Sequence, residues 1–395
     1  MHLANRILIQ SMLLVAPLLF FSACGGGGGS GASVTSTPAA ASSAARSYAY
    51  VADDFASTVT GYRIATTTGE LTELGSVAAR GLPEAVIVHP DGKYVYVTNT
   101  NDPGFSAYRI DPATGSLILL GVTDPPGAWP ARVALDPGGN FLYLTNNYAH
   151  NADPNQPPQV PQEIATYRID PGTGKVTLAG TLVLGRQIYN LVVPPHGDVA
   201  YVSTYASSSA PDLLSAYAID PASGSLTFLA DVPAAGSLAV HPQGRYAFVQ
   251  DPGQISVYKL DPATSTLTQV GAAVSTTGTQ PPFVAIHPGG KFVYVTANQT
   301  VRVYRFDVAA SALIASTTFA PAGGGPHAGS FGGPGMPVAF DPSGKFAYVS
   351  SSGSILVCAI DPATGALTQV GTSAARSQYA LAIATASVID PNPMP

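Results

Sequence analysis

The sequence predicts an all-β fold, a seven-bladed β-propeller of four-stranded antiparallel blades. Three observations predict it. A two-part phrase recurs along the chain, fullest as Ala85-Val86-Ile87-Val88-His89-Pro90-Asp91-Gly92-Lys93-Tyr94-Val95-Tyr96-Val97-Thr98-Asn99 and then Ser106-Ala107-Tyr108-Arg109-Ile110-Asp111-Pro112-Ala113-Thr114-Gly115-Ser116-Leu117. A repeat near 50 residues with four short strands and two set turns is a propeller signature. The apolar runs are short, rich in Val, Tyr and Ile, and bounded by Pro and Gly, with no amphipathic helical stretch between them. The two turns also occur in unequal numbers, which predicts how the ring closes.

The first 23 residues read as a signal. Arg6 is a thin positive region and Ile7 to Phe21 is an apolar stretch, shorter than the roughly 20 residues a membrane span needs. Phe21-Ser22-Ala23-Cys24 has the form of a bacterial lipobox, with Cys24 as the lipidated residue. Residues 24–46, rich in Gly, Ser and Ala, read as a flexible tether. The propeller is expected over 47–386, followed by a C-terminal tail, 387–395.

Within the propeller the first turn occurs at His89, Asp136, Pro194, His241, His287 and Asp341, six copies. The second turn, Asp111-Pro112-Ala113-Thr114-Gly115, recurs from Asp170, Asp220, Asp261, Asp307 and Asp361, with a degenerate copy at Ala65 to Gly69, seven copies. Proline sets φ at the second turn position, glycine supplies positive φ, and Asp bonds back to nearby amides. The N-terminal piece from Ser47 to Gly75 therefore has three strands and lacks an inner one. The lone apolar strand Tyr379 to Ala384 fits the vacancy, so the last strand is expected to close the ring against the first three. Closure removes the open edges of the array. The turn residues His89, His196, His241 and His287 are expected to cap turns, as Asp136 and Asp341 do.

Composition limits the function classes. The chain has 17 Lys and Arg against 23 Asp and Glu, a formal charge of -6, which argues against nucleic acid as a partner. Two cysteines are present; with Cys24 lipidated, Cys358 has no disulfide partner and reads as a buried small hydrophobe. No His/Cys/Asp/Glu grouping has metal-ligand spacing, and the Asp residues of the loops are expected to bond their own backbone amides. Gly323-Gly324-Gly325 lacks the lysine and spacing of a phosphate loop. No metal and no cofactor are expected, and Cys-x-x-Cys-His is absent. The chain is expected to be a monomer.

Label the strands of a blade a to d. The a–b and c–d turns then share one uniform face, and the b–c and d–a connections share the opposite, variable one, where binding usually sits. Arg80, Arg132, Arg186 and Arg376 fall in d–a connections or at the start of an inner strand. With Trp129, Tyr189, Asn190 and Tyr379 they suggest an anion-binding pocket at the channel mouth, since arginine suits carboxylate and phosphate. Glu84 and Arg132 occupy matching places in successive blades and are expected to sit side by side. His327, in the long Gly-rich stretch from Phe319 to Pro337, is the third candidate catalytic group. The three supply a base, an electrostatic clamp and a proton carrier.

The Asp-Pro-Ala-Thr-Gly turns, followed by Ser116-Leu117 or Ala366-Leu367, and the phrase His89 to Asn99 resemble the seven-bladed lactonase family. That family includes the propeller type of 6-phosphogluconolactonase and cycloisomerase-like relatives. Tyr96-Val97-Thr98-Asn99 also resembles the repeats of exported tyrosine-valine-threonine-asparagine propellers. The resemblance covers about Ser47 to Ala386 and rests on turn and strand residues. It implies a hydrolase of a small anionic lactone or ester. Family members often carry Pro-His before an inner strand. Here the places read Pro83-Glu84, Ala131-Arg132, Tyr189-Asn190, Gly236-Ser237, Pro282-Phe283 and Met336-Pro337, and Pro326-His327 lies ten residues early. The alternative is a non-catalytic surface or periplasmic propeller that binds a small anionic molecule or a protein, anchored to the membrane by lipid.

Overall fold

Proline and glycine at set intervals divide the described residues into 28 strands, which pair into seven four-stranded antiparallel sheets. The computed structural model describes residues 46–388 apart from 55, 101–103, 127–129, 147–161, 205–211, 233, 235, 252, 277–282, 298–299, 322–337, 352–353 and 375–379. The proposed signal, Cys24 and nearly all of the tether lie outside the described residues. Blade 1 is composite. Its inner strand, Ala380–Val388, pairs with Arg46–Asp53, which is followed by Thr58–Ile64 and Leu71–Ala78. The ring thus closes with the last strand against the first three. This strand is longer than Tyr379 to Ala384, because Ser387 and Val388 continue the ladder to Ser47 and Arg46. Arg46 belongs to the strand, and its guanidinium donates to the Ala113 carbonyl.

Blade 2 shows the contiguous pattern: Pro83–Val88, Tyr94–Asn99, Gly104–Ile110 and Leu117–Thr123. Blades 3 to 7 open with the inner strands Pro130–Leu135, Ile188–Val192, Ser237–Val240, Phe283–Ile286 and Val338–Phe340. The c–d turns form locally. Asp111 Oδ1 accepts the amides of Ala113 and Thr114 at 3.0 and 2.9 Å. The Thr114 amide bond holds the Asp111 carboxyl below the usual carboxylate range. Gly115 ends the turn at φ 79°.

The core lies between blades as seven clusters, one at each blade–blade interface. Repeated side chains stitch these interfaces. The hydroxyls of Tyr50, Tyr96, Tyr143, Tyr201, Tyr294 and Tyr348 donate to the carbonyls of Gly115, Gly174, Gly224, Ser265, Gly365 and Gly69, each in the next blade, at 2.7 to 3.1 Å. Burial pushes the Tyr96 and Tyr294 phenols above their ordinary range, so they remain donors. The acceptor residue sits in the left-handed region. A Cβ at Gly115 would lie 2.1 Å from the Tyr48 ring, so glycine is required there twice over. The seventh junction departs from the pattern: Phe248 replaces the tyrosine, and Tyr246 bonds the Ser311 hydroxyl at 3.2 Å. Ser265 and Ser311 take the left-handed place at φ 56° and 51°.

The a–b turn residues do more than the capping expected of them. His89, His241 and His287 each place Nε2 against the next blade's turn carbonyl, Gly139, Gly290 and Gly344, at 2.8, 3.1 and 2.7 Å. Asp136 and Asp341 instead accept amides of their own blades, Phe141 at 2.6 Å and Phe346 at 2.7 Å. Histidine is long enough to cross between blades and aspartate is not.

Candidate functional site

The inner strands surround a central cavity of about 510 Å³, within the usual size of a small-molecule site. Among the described residues three polar side chains line it: Glu84, Arg132 and Asn190, from blades 2, 3 and 4. The other described lining residues are apolar, among them Val86, Leu191, Leu238, Phe283, Phe340 and Ile383.

The ladders correct one expectation. Ala85 pairs with Thr98 and Arg132 with Thr145, so Arg132 corresponds to Ala85 and not to Glu84. Glu84 falls on a bulge between Pro83 and Ala85, where its counterpart in blade 3 is Ala131. A bulge inserts one residue and re-aims the side chains around it. Here the carboxylate on the bulge of one blade meets the guanidinium on the first regular pair of the next. Threonines of the repeated phrase hold both strand entries. Thr98 Oγ1 accepts the Ala85 amide at 3.0 Å and donates to the Ala131 carbonyl at 3.3 Å. Thr145 Oγ1 accepts the Arg132 amide at 3.3 Å. Their positioning role was missed in the sequence, although the signal was present as Thr, Ser or Gln at the fifth place of the b strand.

Arg132 Nη1 donates to Glu84 Oε1 at 2.8 Å, with side-chain exposures of 12% and 8%. Nη1 also reaches the Ala131 carbonyl at 3.4 Å. The other two guanidinium nitrogens, Nε and Nη2, are buried and have no hydrogen-bond partner among the described residues. A buried donor left unmet costs about 1–3 kcal/mol. Nε and Nη2 form the edge with which arginine grips a carboxylate or phosphate in parallel. Asn190 Nδ2 donates to the Leu238 carbonyl at 3.1 Å and lies 3.5 Å from Ser237 Oγ, which ties blade 4 to blade 5.

The arginines expected to ring the mouth do not gather there. Arg80 is drawn to Asp124 in the following d–a connection, and this pair is exposed. Arg186 Nε donates to Thr204 Oγ1 at 3.1 Å. Neither lines the cavity. Trp129, His327, Arg376 and Tyr379 lie outside the described residues, as does the side chain of Tyr189. Among the described residues no three His, Cys, Asp or Glu side chains group to hold a metal. Burial pushes the Cys358 thiol up to about 12, so it is inert packing in the interface of blades 6 and 7.

This architecture agrees with the sequence comparisons. The family model described as "Lactonase, 7-bladed beta-propeller" matches residues 40–156 and 231–380. The chain belongs to that family. Among curated proteins it is 26% identical over 145 residues to a 6-phosphogluconolactonase of Bacillus subtilis, covering 34% of this chain and 38% of that protein. It is 31% identical over 91 residues to a 6-phosphogluconolactonase of Formosa agariphila, covering 22% of each. The matches therefore span well under half the length of these relatives. Among solved structures, the periplasmic gluconolactonase of Pseudomonas aeruginosa superposes with a TM-score of 0.70 at 18% identity, over 87% of this chain and 100% of that one. This likeness is one of fold.

Proposed function

We propose that the protein is a lactonase-like hydrolase whose active centre is the Glu84–Arg132 pair at the channel mouth. One observation carries the reading: Arg132 is fixed by Glu84 through Nη1 and keeps its Nε/Nη2 edge unmet beside a cavity of ligand size. In the reaction a water attacks the lactone carbonyl, and Glu84 Oε2 takes its proton. The negative charge that develops on the carbonyl oxygen is held by Nε and Nη2 of Arg132. The ring C–O bond then breaks, and the proton passes to the leaving alkoxide, giving a hydroxy acid. Preorganised donors of this kind contribute about 10²–10³-fold to rate. His327 is the proposed carrier of the proton to the leaving oxygen.

We further propose that the chain is exported and anchored by lipid on Cys24, with residues 24–45 as tether. The apolar stretch Ile7 to Phe21 ahead of Cys24 supports this, as does the periplasmic setting of the Pseudomonas aeruginosa gluconolactonase. A Cys24→Ser chain that still partitions with membranes would remove the anchor.

The test of the activity is turnover of a panel of lactones by the purified full chain. Arg132→Ala, Glu84→Gln and His327→Ala are expected each to lower kcat/KM, the first by about 100-fold. Rates unchanged in all three would overturn the assignment. Saturable binding of a hydroxy acid with no turnover of any lactone would favour a binding propeller in its place.

A further inference from the structure

The channel is amphipathic, and its two sides can be assigned by register. The residue paired with the fifth position of the b strand is Ala85 in blade 2, Arg132 in blade 3, Asn190 in blade 4, Ser237 in blade 5 and Phe283 in blade 6. These five residues lie at one level of the ring. Among the described residues charge at this level is confined to Arg132, joined by Glu84 from the bulge. Phe283, three blades further round the ring, presents an aromatic surface to the same space. Beyond this level the described walls are Val, Leu, Ile, Ala, Phe and Pro side chains, from Val86 through Val133, Leu191 and Val240 to Pro242 at the far end.

A phosphorylated sugar fits this space poorly. Its dianion and its hydroxyls need several donors and acceptors. The described side chains offer one guanidinium edge as donor, with Glu84 Oε2 and Asn190 Oδ1 as acceptors, because Nη1 of Arg132 is used by Glu84 and Nδ2 of Asn190 by blade 5. Each sugar hydroxyl left against the apolar wall loses its hydrogen bonds to water without replacement. An unbranched apolar chain needs no partner there and gains from leaving water.

We infer that the ligand is a lactone or ester bearing an alkyl or acyl tail, held with its carbonyl at Arg132 and its tail along the apolar channel between Phe283 and Pro242. This rests on the hydrolase reading for its reactive end. The tail chamber stands on the channel walls alone.

The experiment uses the purified full chain and a series of γ-lactones with substituents from ethyl to decyl. KM is expected to fall by about fourfold for each added methylene until the channel is filled, with kcat nearly constant. 6-Phosphogluconolactone is expected to be the poorer substrate by kcat/KM. Val86→Phe, which narrows the channel wall, is expected to move the lowest KM to shorter substituents. Because that variant can disturb packing, the wild-type series decides by itself. Binding of unreactive alkyl carboxylates, hexanoate to dodecanoate, is measured alongside by calorimetry. Turnover with no dependence on chain length overturns the tail chamber and leaves the hydrolase reading. Chain-length-dependent carboxylate binding without turnover of any lactone supports the chamber and overturns the hydrolase reading. A preference for 6-phosphogluconolactone over every alkyl lactone overturns the inference outright.

Discussion

Removing Glu84 tests whether the channel pair is held at a cost to stability. In Glu84→Ala, Arg132 keeps only the long contact to the Ala131 carbonyl at 3.4 Å. Its side chain is 12% exposed, so nearly nine-tenths of its surface stays out of water with the charge unpaired. Stranding one member of a buried pair costs about 3–5 kcal/mol. For a propeller spanning 46–388, an unfolding entropy of about 2.1 cal/mol/K per residue makes this a Tm loss of about 4–7 °C. Arg132→Met is expected to lose a similar amount, since Glu84 is 8% exposed. The double variant Glu84→Met with Arg132→Met removes both charges and both unmet donors. It is expected to regain the loss and to exceed the parent by up to about 4 kcal/mol, as apolar replacements of buried pairs do. The assay is urea and thermal unfolding of all four proteins by circular dichroism. Singles as stable as the parent, or a double as unstable as the sum of the singles, would refute the reasoning, because the pair would then be solvated and dispensable.

Other expectations follow from the stitching of the blades. Tyr96→Phe removes the 3.0 Å bond to the Gly174 carbonyl and should cost about 1 kcal/mol. Phe248→Tyr adds the missing hydroxyl at the seventh junction and should raise the unfolding midpoint. His241 is buried, and burial holds its pKa below the ordinary 6.5. Its Nδ1 accepts the Gln243 amide and its Nε2 faces the Gly290 carbonyl, a neutral arrangement. The unfolded chain therefore takes up the proton first, so the contribution of His241 is full above pH 6.5 and is lost as pH falls through its lower folded value. Thermal midpoints at pH 7.5 and 5 should differ less in His241→Asn than in the parent. A chain stopped before Ala380 lacks the inner strand of blade 1 and should lose cooperative unfolding by calorimetry; a single sharp transition would contradict ring closure.

Much of the fold was legible because its determinants are local. An Asp-Pro-x-x-Gly turn is specified within five residues, and Asp111 and Gly115 behave as the sequence implies. Six first turns against seven second turns were enough to show which strand closes the ring. The tyrosine stitches were visible as a recurring residue but not as bonds, since Tyr96 and Gly174 are far apart in sequence. Glu84 and Arg132 were paired for the wrong reason. They are not equivalents: both blades carry the same bulge, at Glu84 and at Ala131, so Arg132 matches Ala85, an offset already present in the spacing to the first turn, five residues from Glu84 to His89 and four from Arg132 to Asp136. The four arginines shared a face in sequence, yet of those described only Arg132 lines the channel, because Arg80 and Arg186 have nearer partners.

The repeated phrase by itself determined the strand count, the turn types, the two faces and the closure, all of which depend on short-range φ preferences and period-two patterning. The tertiary structure alone decided which side chains share the channel. That depends on register offsets, on bulges and on competition for hydrogen-bond partners between blades, and these are settled only when the ring brings residues dozens of positions apart within bonding distance.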